Sequence, residues 1–526
     1  MRSAGGISPA RSTKRRTLAL TLVPVMLWAC GTVPPEPSVG VPSAGPGSPG
    51  TSQSSAQPEA SPAAPAQPAV RPVGWSDCGR GFECGQVLVP RDYAAVGGPA
   101  LIISVLRLPA LDRTRRVGSL VVNPGGPGAS GVDFVRRLGN IVFDERIRSR
   151  FDIVGFDPRG VNRSSEVRCV DDLDHFLAVD STPDTSAELA TLLDGERAFA
   201  EGCQRRNPEL LPFLGTENVA RDLDVLRQAL GDARLTYIGF SYGTLIGALY
   251  AQMFPDRIRA LVLDGAVDPS LDLAALSEGQ AVGFEGALRR FLADCARQRS
   301  CLFHHGGKPE PAFDRLMRHI EARSLPATRL GDSRRVGPGY AWSGIAGALY
   351  SRDSWPVLAA GLALAEAGDG SLFLLLADPL NGRNSDGGYS NLIDAHRAVV
   401  CLDFPAPRDP AAYQAWAKAW VRKAPHFGAL LAFSDVGCAY WPIAPTRQPA
   451  PVSAPGAPPI VVIGSSGDPA TPYHWSVALS RQLSSAILIT RRGEGHTGYA
   501  ASTCVEKAAN AYLMDLTVPK AGLACA

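Results

Sequence analysis

The feature that most constrains this chain is a set of short apolar runs alternating with helical patterns. Ser119-Leu120-Val121-Val122, Phe151-Asp152-Ile153-Val154-Gly155, Leu235-Thr236-Tyr237-Ile238-Gly239 and Ile258-Arg259-Ala260-Leu261-Val262-Leu263 each meet Gly, Pro or Asp at or near their end. Runs this short and this rich in β-branched residues suit strands covered on both faces, as in a parallel sheet. Between them Val219, Leu223, Leu226 and Leu230 recur at three- and four-residue spacing, which predicts an amphipathic helix over 218–230 that Thr216 caps and Gly231 ends. A second helix is expected over 242–254, rich in Ala, Leu and Gly and stopped by Pro255. Such alternation implies a doubly wound, mostly parallel α/β domain.

Two earlier strands are expected at 86–90 and 101–106, separated by a Gly97-Gly98-Pro99 turn. The alternation breaks at Asp268-Pro269, and helical segments follow at 280–295, 311–323, 355–367 and 410–423. Apolar strand patterns return at 459–464 and 486–490. The expected organisation is therefore a core made of 73–270 and 441–526, with a helical lid, 271–440, inserted between late strands.

The N-terminus carries Arg2, Arg11, Lys14, Arg15 and Arg16 ahead of an apolar stretch from Thr17 to Ala29. This is the pattern of a signal peptide over 1–29, too short in its apolar part to span a bilayer comfortably. Leu27-Trp28-Ala29-Cys30 resembles a bacterial lipobox, which makes Cys30 a candidate lipid-attachment residue; cleavage as a conventional signal peptide is the alternative, and either exports the protein. The Pro-, Ala-, Ser- and Gly-dominated segment 30–72 cannot build a core and reads as an extended tether. Setting Cys30 aside leaves ten of eleven cysteines, an even number in a chain leaving the reducing cytosol. Cys78 and Cys84, Cys169 and Cys203, Cys295 and Cys301, Cys401 and Cys438, and Cys504 and Cys525 are sequence neighbours able to form five local bridges. With 52 Lys and Arg against 50 Asp and Glu, and no long basic run beyond the N-terminal segment, a nucleic-acid partner is not expected. Any membrane contact is expected only through the N-terminal lipid.

Chemistry concentrates at Gly239-Phe240-Ser241-Tyr242-Gly243, a G-x-S-x-G pattern placed after an expected strand and before an expected helix. That context is a nucleophile elbow of the α/β-hydrolase fold, with Ser241 exposed on a strained turn. A serine needs a base beside it and the base needs an orienting acid. Asp468 follows the strand ending at Gly464, and His496 lies in a glycine-rich loop after the strand ending near Thr490, giving the chain order Ser, Asp, His. Asp264, after the strand ending at Leu263, is the alternative acid. An oxyanion would need preorganised N–H donors, each worth about 3 to 4 kcal/mol in a comparable hydrolase. Asn123-Pro124-Gly125-Gly126-Pro127-Gly128 supplies a flexible loop for one, and Gly126 N–H with Tyr242 N–H is the expected pair. No Lys-Ser or Lys-Thr follows that loop, which disfavours a phosphate-binding role. Acyl transfer of this kind calls for no cofactor and no metal.

Taken together, residues 123–131, Phe156-Asp157-Pro158-Arg159-Gly160, residues 239–243, Gly467-Asp468-Pro469-Ala470-Thr471-Pro472 and Gly495-His496 resemble the exported tripeptidyl-aminopeptidase branch of the prolyl-iminopeptidase-like hydrolases. The resemblance spans roughly residues 75–525. It implies a lid-covered site that removes short peptides from free N-termini through an acyl-enzyme, with Ser241, Asp468 and His496 at the triad positions. This chain departs from prolyl iminopeptidases in carrying Asn123-Pro124 where they typically show His before the Gly-Gly-Pro-Gly loop, which argues against strict proline specificity. Recognition of a substrate ammonium group requires a lid acid, and Glu285, Asp394 and Asp403 are the candidates. A carboxylesterase or lipase with the same triad, and a non-catalytic surface-binding protein, are the other readings.

Overall fold

The computed structural model describes residues 70–526. The leader 1–29, Cys30 and all but the end of the tether 30–72 lie outside the described residues. Twelve strands form, β1 (Ser76–Asp77), β2 (Glu83–Pro90), β3 (Ala100–Leu108), β4 (Gly118–Asn123), β5 (Phe151–Phe156), β6 (Leu235–Phe240), β7 (Ile258–Asp264), β8 (Leu325–Ala327), β9 (Asp332–Val336), β10 (Ile460–Gly467), β11 (Ala486–Glu494) and β12 (Ala524–Cys525). Ten of them make one sheet in the order β1-β2-β3-β5-β4-β6-β7-β10-β11-β12, and β8 pairs with β9 in a separate hairpin. From β5 to β12 every neighbour is parallel, while β1, β2 and β3 add an antiparallel edge. This is the doubly wound, mostly parallel sheet expected from the alternation, in the α/β-hydrolase fold expected from the serine turn.

The reason is visible in the burial pattern. Every residue of β4, β5 and β6 is buried, because helices cover both faces of the sheet. One face packs Val121, Val154, Tyr237 and Leu261 against the helix Thr216–Ala229 and its neighbours. The other packs Leu120, Val122, Ile153, Ile238 and Val262 against the C-terminal helix Thr503–Asp515. Register then aligns the carboxyl ends of the strands, with Asn123 opposite Gly239, Phe240 opposite Asp264, and Gly467 opposite Glu494.

Between β7 and β10 the chain forms helices including Leu273–Arg297, Pro309–Ala322, Pro338–Leu349, Trp355–Glu366, Ser371–Asn381 and Leu392–Asp403. These have a core of their own around Phe284, Phe313, Trp342, Leu358 and Phe373. The stretch between β5 and β6, expected to belong wholly to the sheet domain, carries the helix Ser186–Arg206, whose Leu192 packs with lid residues Tyr413, Trp420 and Phe433. A buried ion pair, Arg397 to Glu196 at 2.8 Å, joins the same two regions. Ten cysteines pair as Cys78–Cys84, Cys169–Cys203, Cys295–Cys301, Cys401–Cys438 and Cys504–Cys525.

The Asp157-Pro158-Arg159-Gly160 motif following β5 has a structural explanation. Arg159 is fully buried and forks onto Asp222 with bonds of 2.7 and 2.6 Å. Its remaining N–H groups reach Pro90 O, Arg91 O and Phe213 O, so one guanidinium ties the antiparallel edge to the sheet's helical cover. Breaking a buried pair leaves the other charge uncompensated, which costs about 3–5 kcal/mol. Asp222→Ala is therefore expected to lower unfolding free energy by that amount in a urea titration; a loss below about 1 kcal/mol, the scale of an exposed pair, contradicts this account.

Candidate active site

The site assembles where β6 turns into the helix Gly243–Met253. Ser241 has φ +54°, a left-handed conformation rare for a residue with a Cβ. The crossing is tight: a Cβ on Gly239 would lie 2.4 Å from Gly243 O, so no side chain fits there. Ser241 N–H donates to Asp264 O at 2.9 Å. Ser241 itself is partly exposed, whereas Tyr242 beside it is buried.

His496 sits just past β11, and its Nδ1 lies 2.9 Å from both carboxylate oxygens of Asp468. The Asp468 side chain is fully buried and that of His496 nearly so. Asp468 also accepts Ala470 N–H at 3.0 Å, Thr471 N–H at 2.9 Å and the Thr471 hydroxyl at 3.1 Å. The carboxylate thus closes a local turn and orients the ring at once. The other ring nitrogen, Nε2, is buried without a hydrogen-bond partner, so any contact with Ser241 Oγ is longer than a hydrogen bond here, as is common before substrate binds. The alternative acid does something else. The Asp264 carboxylate accepts Gly498 N–H at 2.8 Å and Tyr499 N–H at 2.7 Å, holding the loop that carries His496, and burial pushes it up to about 6.

The loop after β4 lies against the serine turn. A Cβ built on Gly125 would fall 2.9 Å from Tyr242 N and 3.0 Å from Ser241 Cβ. Gly125 N–H is used locally, donating to Asn123 Oδ1 at 2.9 Å. Among the described hydrogen bonds, neither Gly126 N–H nor Tyr242 N–H is given to a protein acceptor. Unengaged N–H groups on the residue after a partly exposed serine and on the loop packed against it can donate to developing negative charge.

Of the three lid acids, Glu285 accepts His426 N–H at 2.9 Å, lies 3.0 Å from His426 Nδ1 and holds Arg289 at 3.1 Å. Asp403 holds the Tyr242 hydroxyl and Thr216 N–H. Asp394 accepts Cys169 N–H at 2.7 Å, while its Oδ2 is buried without a partner; burial pushes the carboxyl up to about 6. Thr216 is not a helix cap: the cap is Gly215, and the Thr216 hydroxyl lies 3.2 Å from the Tyr242 hydroxyl. The hydroxyl that would have to accept a helix N–H is turned instead toward the Tyr242 hydroxyl.

Sequence reasoning missed the lid residues that grip the two late loops. Tyr350 O accepts His496 N–H at 2.8 Å, and the Tyr350 ring meets the His496 ring edge-on at 5.2 Å. Arg290 reaches Glu494 at 2.7 Å and Gly467 O at 3.3 Å, touching the loops of both His496 and Asp468. No local motif marks either residue. Thr471, by contrast, stands three residues after Asp468, where a side-chain turn is a readable signal.

The region 118–305 matches the model of the alpha/beta hydrolase fold, and 424–525 matches the model described as TAP-like protein. "Serine protease Hip1" of Mycobacterium tuberculosis H37Rv is 37% identical over 485 residues, covering 88% of this chain and 92% of that protein. The chain belongs to the TAP-like α/β-hydrolase family. "Carboxylesterase B" of the same organism is 38% identical over 480 residues, covering 87% and 91% of the two chains. "Tripeptidyl aminopeptidase" of Streptomyces lividans is 32% identical over 484 residues, covering 88% of each. The family members thus align along nearly the whole described region, core and lid together.

Burial lowers the His496 pKa, but the charge of Asp468 and its hydrogen bond outweigh burial, with Asp264 adding to them, and the net value lies above the ordinary 6.5. A raised folded value means that the ring's contribution to stability is complete below pH 6.5 and is lost as pH rises through the folded pKa. Free base, the form able to take a proton, gains over that same interval. An NMR titration of the His496 ring should place its midpoint above 6.5 in the wild type and lower in Asp468→Asn, where only the Asp264 charge still opposes burial; an unmoved midpoint contradicts the assigned pairing.

Proposed function

We propose that the chain is an exported serine aminopeptidase that releases short peptides, tripeptides among them, from free N-termini. The observation that carries this is the buried Asp468–His496 pair with Nε2 unengaged, at the sheet edge that also presents the left-handed Ser241. In the mechanism, His496 Nε2 takes the Ser241 proton as Oγ attacks the scissile carbonyl, and Asp468 orients the ring and stabilises the imidazolium. Gly126 N–H and Tyr242 N–H receive the oxyanion. His496 then gives the proton to the leaving amine, and water, activated by the same ring, resolves the acyl-enzyme.

Export is supported by five disulfides among the described residues and by the basic and apolar start of the sequence. Attachment of lipid at Cys30 is part of the same proposal. The name of the Streptomyces relative and the TAP-like match favour peptide substrates. A lid carboxylate is proposed to meet the substrate ammonium group; Glu285, Asp394 and Asp403 are each buried and bonded to protein donors.

The relative named carboxylesterase B makes an ester substrate the second reading. A tripeptide anilide with a free N-terminus, its N-acetylated counterpart and a short-chain ester separate the two. The free peptide is expected to be cleaved, the acetylated one not, and Ser241→Ala to lower turnover by roughly a millionfold. Cleavage of the ester alone replaces the aminopeptidase reading, and activity surviving Ser241→Ala removes the nucleophile.

A further inference from the structure

Tyr242 supplies one of the two proposed oxyanion donors through its backbone, and its side chain leads to the lid. The phenol is buried, and its hydroxyl donates to Asp403 Oδ2, on a residue 161 positions further along the chain. Asp403 ends the lid helix Leu392–Asp403 and has no exposed surface. Its other oxygen accepts Thr216 N–H at 2.9 Å, and Thr216 Oγ1 lies 3.2 Å from the Tyr242 hydroxyl. Both carboxylate oxygens are therefore used by the protein. Arg447, also buried, donates to Asp403 O at 3.4 Å and to Pro269 O, fixing the end of the lid helix to the chain just past β7.

Keeping a carboxylate in the core is costly unless it is fully hydrogen-bonded, and here one of its partners is the residue next to Ser241. The helix Gly243–Met253 has no side-chain cap; the Ser241–Tyr242 peptide is held at its carbonyl by Thr244 N–H at 2.9 Å and the Thr244 hydroxyl at 2.6 Å, and the Tyr242 phenol adds the hold that comes from the lid. The tolerance of that peptide is small, since Gly125 leaves no room for even a Cβ beside Tyr242 N.

We propose that Asp403 is a positioning residue that, from the lid, holds the Tyr242 phenol and thereby fixes the Tyr242 N–H where the oxyanion forms. This rests on the reading of Ser241 as nucleophile. It gives the lid a part in transition-state stabilisation separate from substrate recognition. The side chain of Asp403 acts on the reaction through Tyr242 and touches no substrate.

The test uses Tyr242→Phe, Asp403→Asn and the double variant in the full chain, with reactive sites counted by fluorophosphonate labelling of Ser241. Because a small misplacement of a catalytic group costs about a hundredfold in rate, each single variant is expected to lose about that factor in kcat per labelled site. KM should stay within about twofold, as for an interaction made only in the transition state. Affinity for a peptide aldehyde, whose hemiacetal bears the oxyanion, should fall with kcat, while affinity for the product tripeptide stays level. The double variant should be no worse than the weaker single one, because both remove the same bond.

Unchanged kcat in Tyr242→Phe, a rise in KM at constant kcat, or losses that multiply in the double variant would overturn the proposal. If Asp403→Asn does not fold, Tyr242→Phe, which keeps the ring and its packing, decides alone. Wild type that takes no label at Ser241 overturns the nucleophile reading and this proposal with it, whereas labelled variants of normal kcat overturn this proposal only.

Discussion

The site depends on Ser241 keeping a left-handed backbone between a buried strand and a buried helix. That conformation costs of order 1–3 kcal/mol and persists only where surrounding structure over-determines it. Asp264 is central to that restraint. Its backbone oxygen takes Ser241 N–H, and its carboxylate takes Gly498 and Tyr499 N–H, so one residue couples the serine turn to the histidine loop. The parallel register does the rest by bringing the ends of β4, β6, β7, β10 and β11 to one edge.

Over that edge the lid is built into the site rather than laid across it. Arg290 bonds both late loops, Tyr350 packs on His496, and the chain at Leu392–His396 lies against Gly128, where a Cβ would approach Leu392 O to 2.6 Å. With its own core around Phe284, Phe313 and Trp342, such a lid moves as a body if it moves at all. The helix Ser186–Arg206, reached from the sheet domain, binds the lid from the side.

The sheet core, the turn at Ser241 and the Asp468–His496 pair were legible because their signals are local. Strand runs are buried on both faces and so read as continuous apolar segments, and glycine marks the close crossing at Gly239. Sequence neighbours made the cysteine pairs readable for the same reason. The uses of Asp403 and Thr216 were not legible, since their bond spans 187 positions and an acid in a helical lid looks alike whether it faces a substrate or a tyrosine. Short edge elements such as β1 and β12 were missed because two residues carry no periodicity; the Cys504–Cys525 bridge joins β12 to the helix Thr503–Asp515.

The central claim is that Ser241 is the nucleophile activated by His496. The most direct measurement is peptide mapping by mass spectrometry of the enzyme trapped with a slowly deacylating peptide ester. The account predicts one acyl adduct, on the peptide containing Ser241, that forms faster as pH rises through the His496 pKa and is absent in His496→Ala. An adduct on any other residue, or one that forms at an unchanged rate without His496, would contradict it.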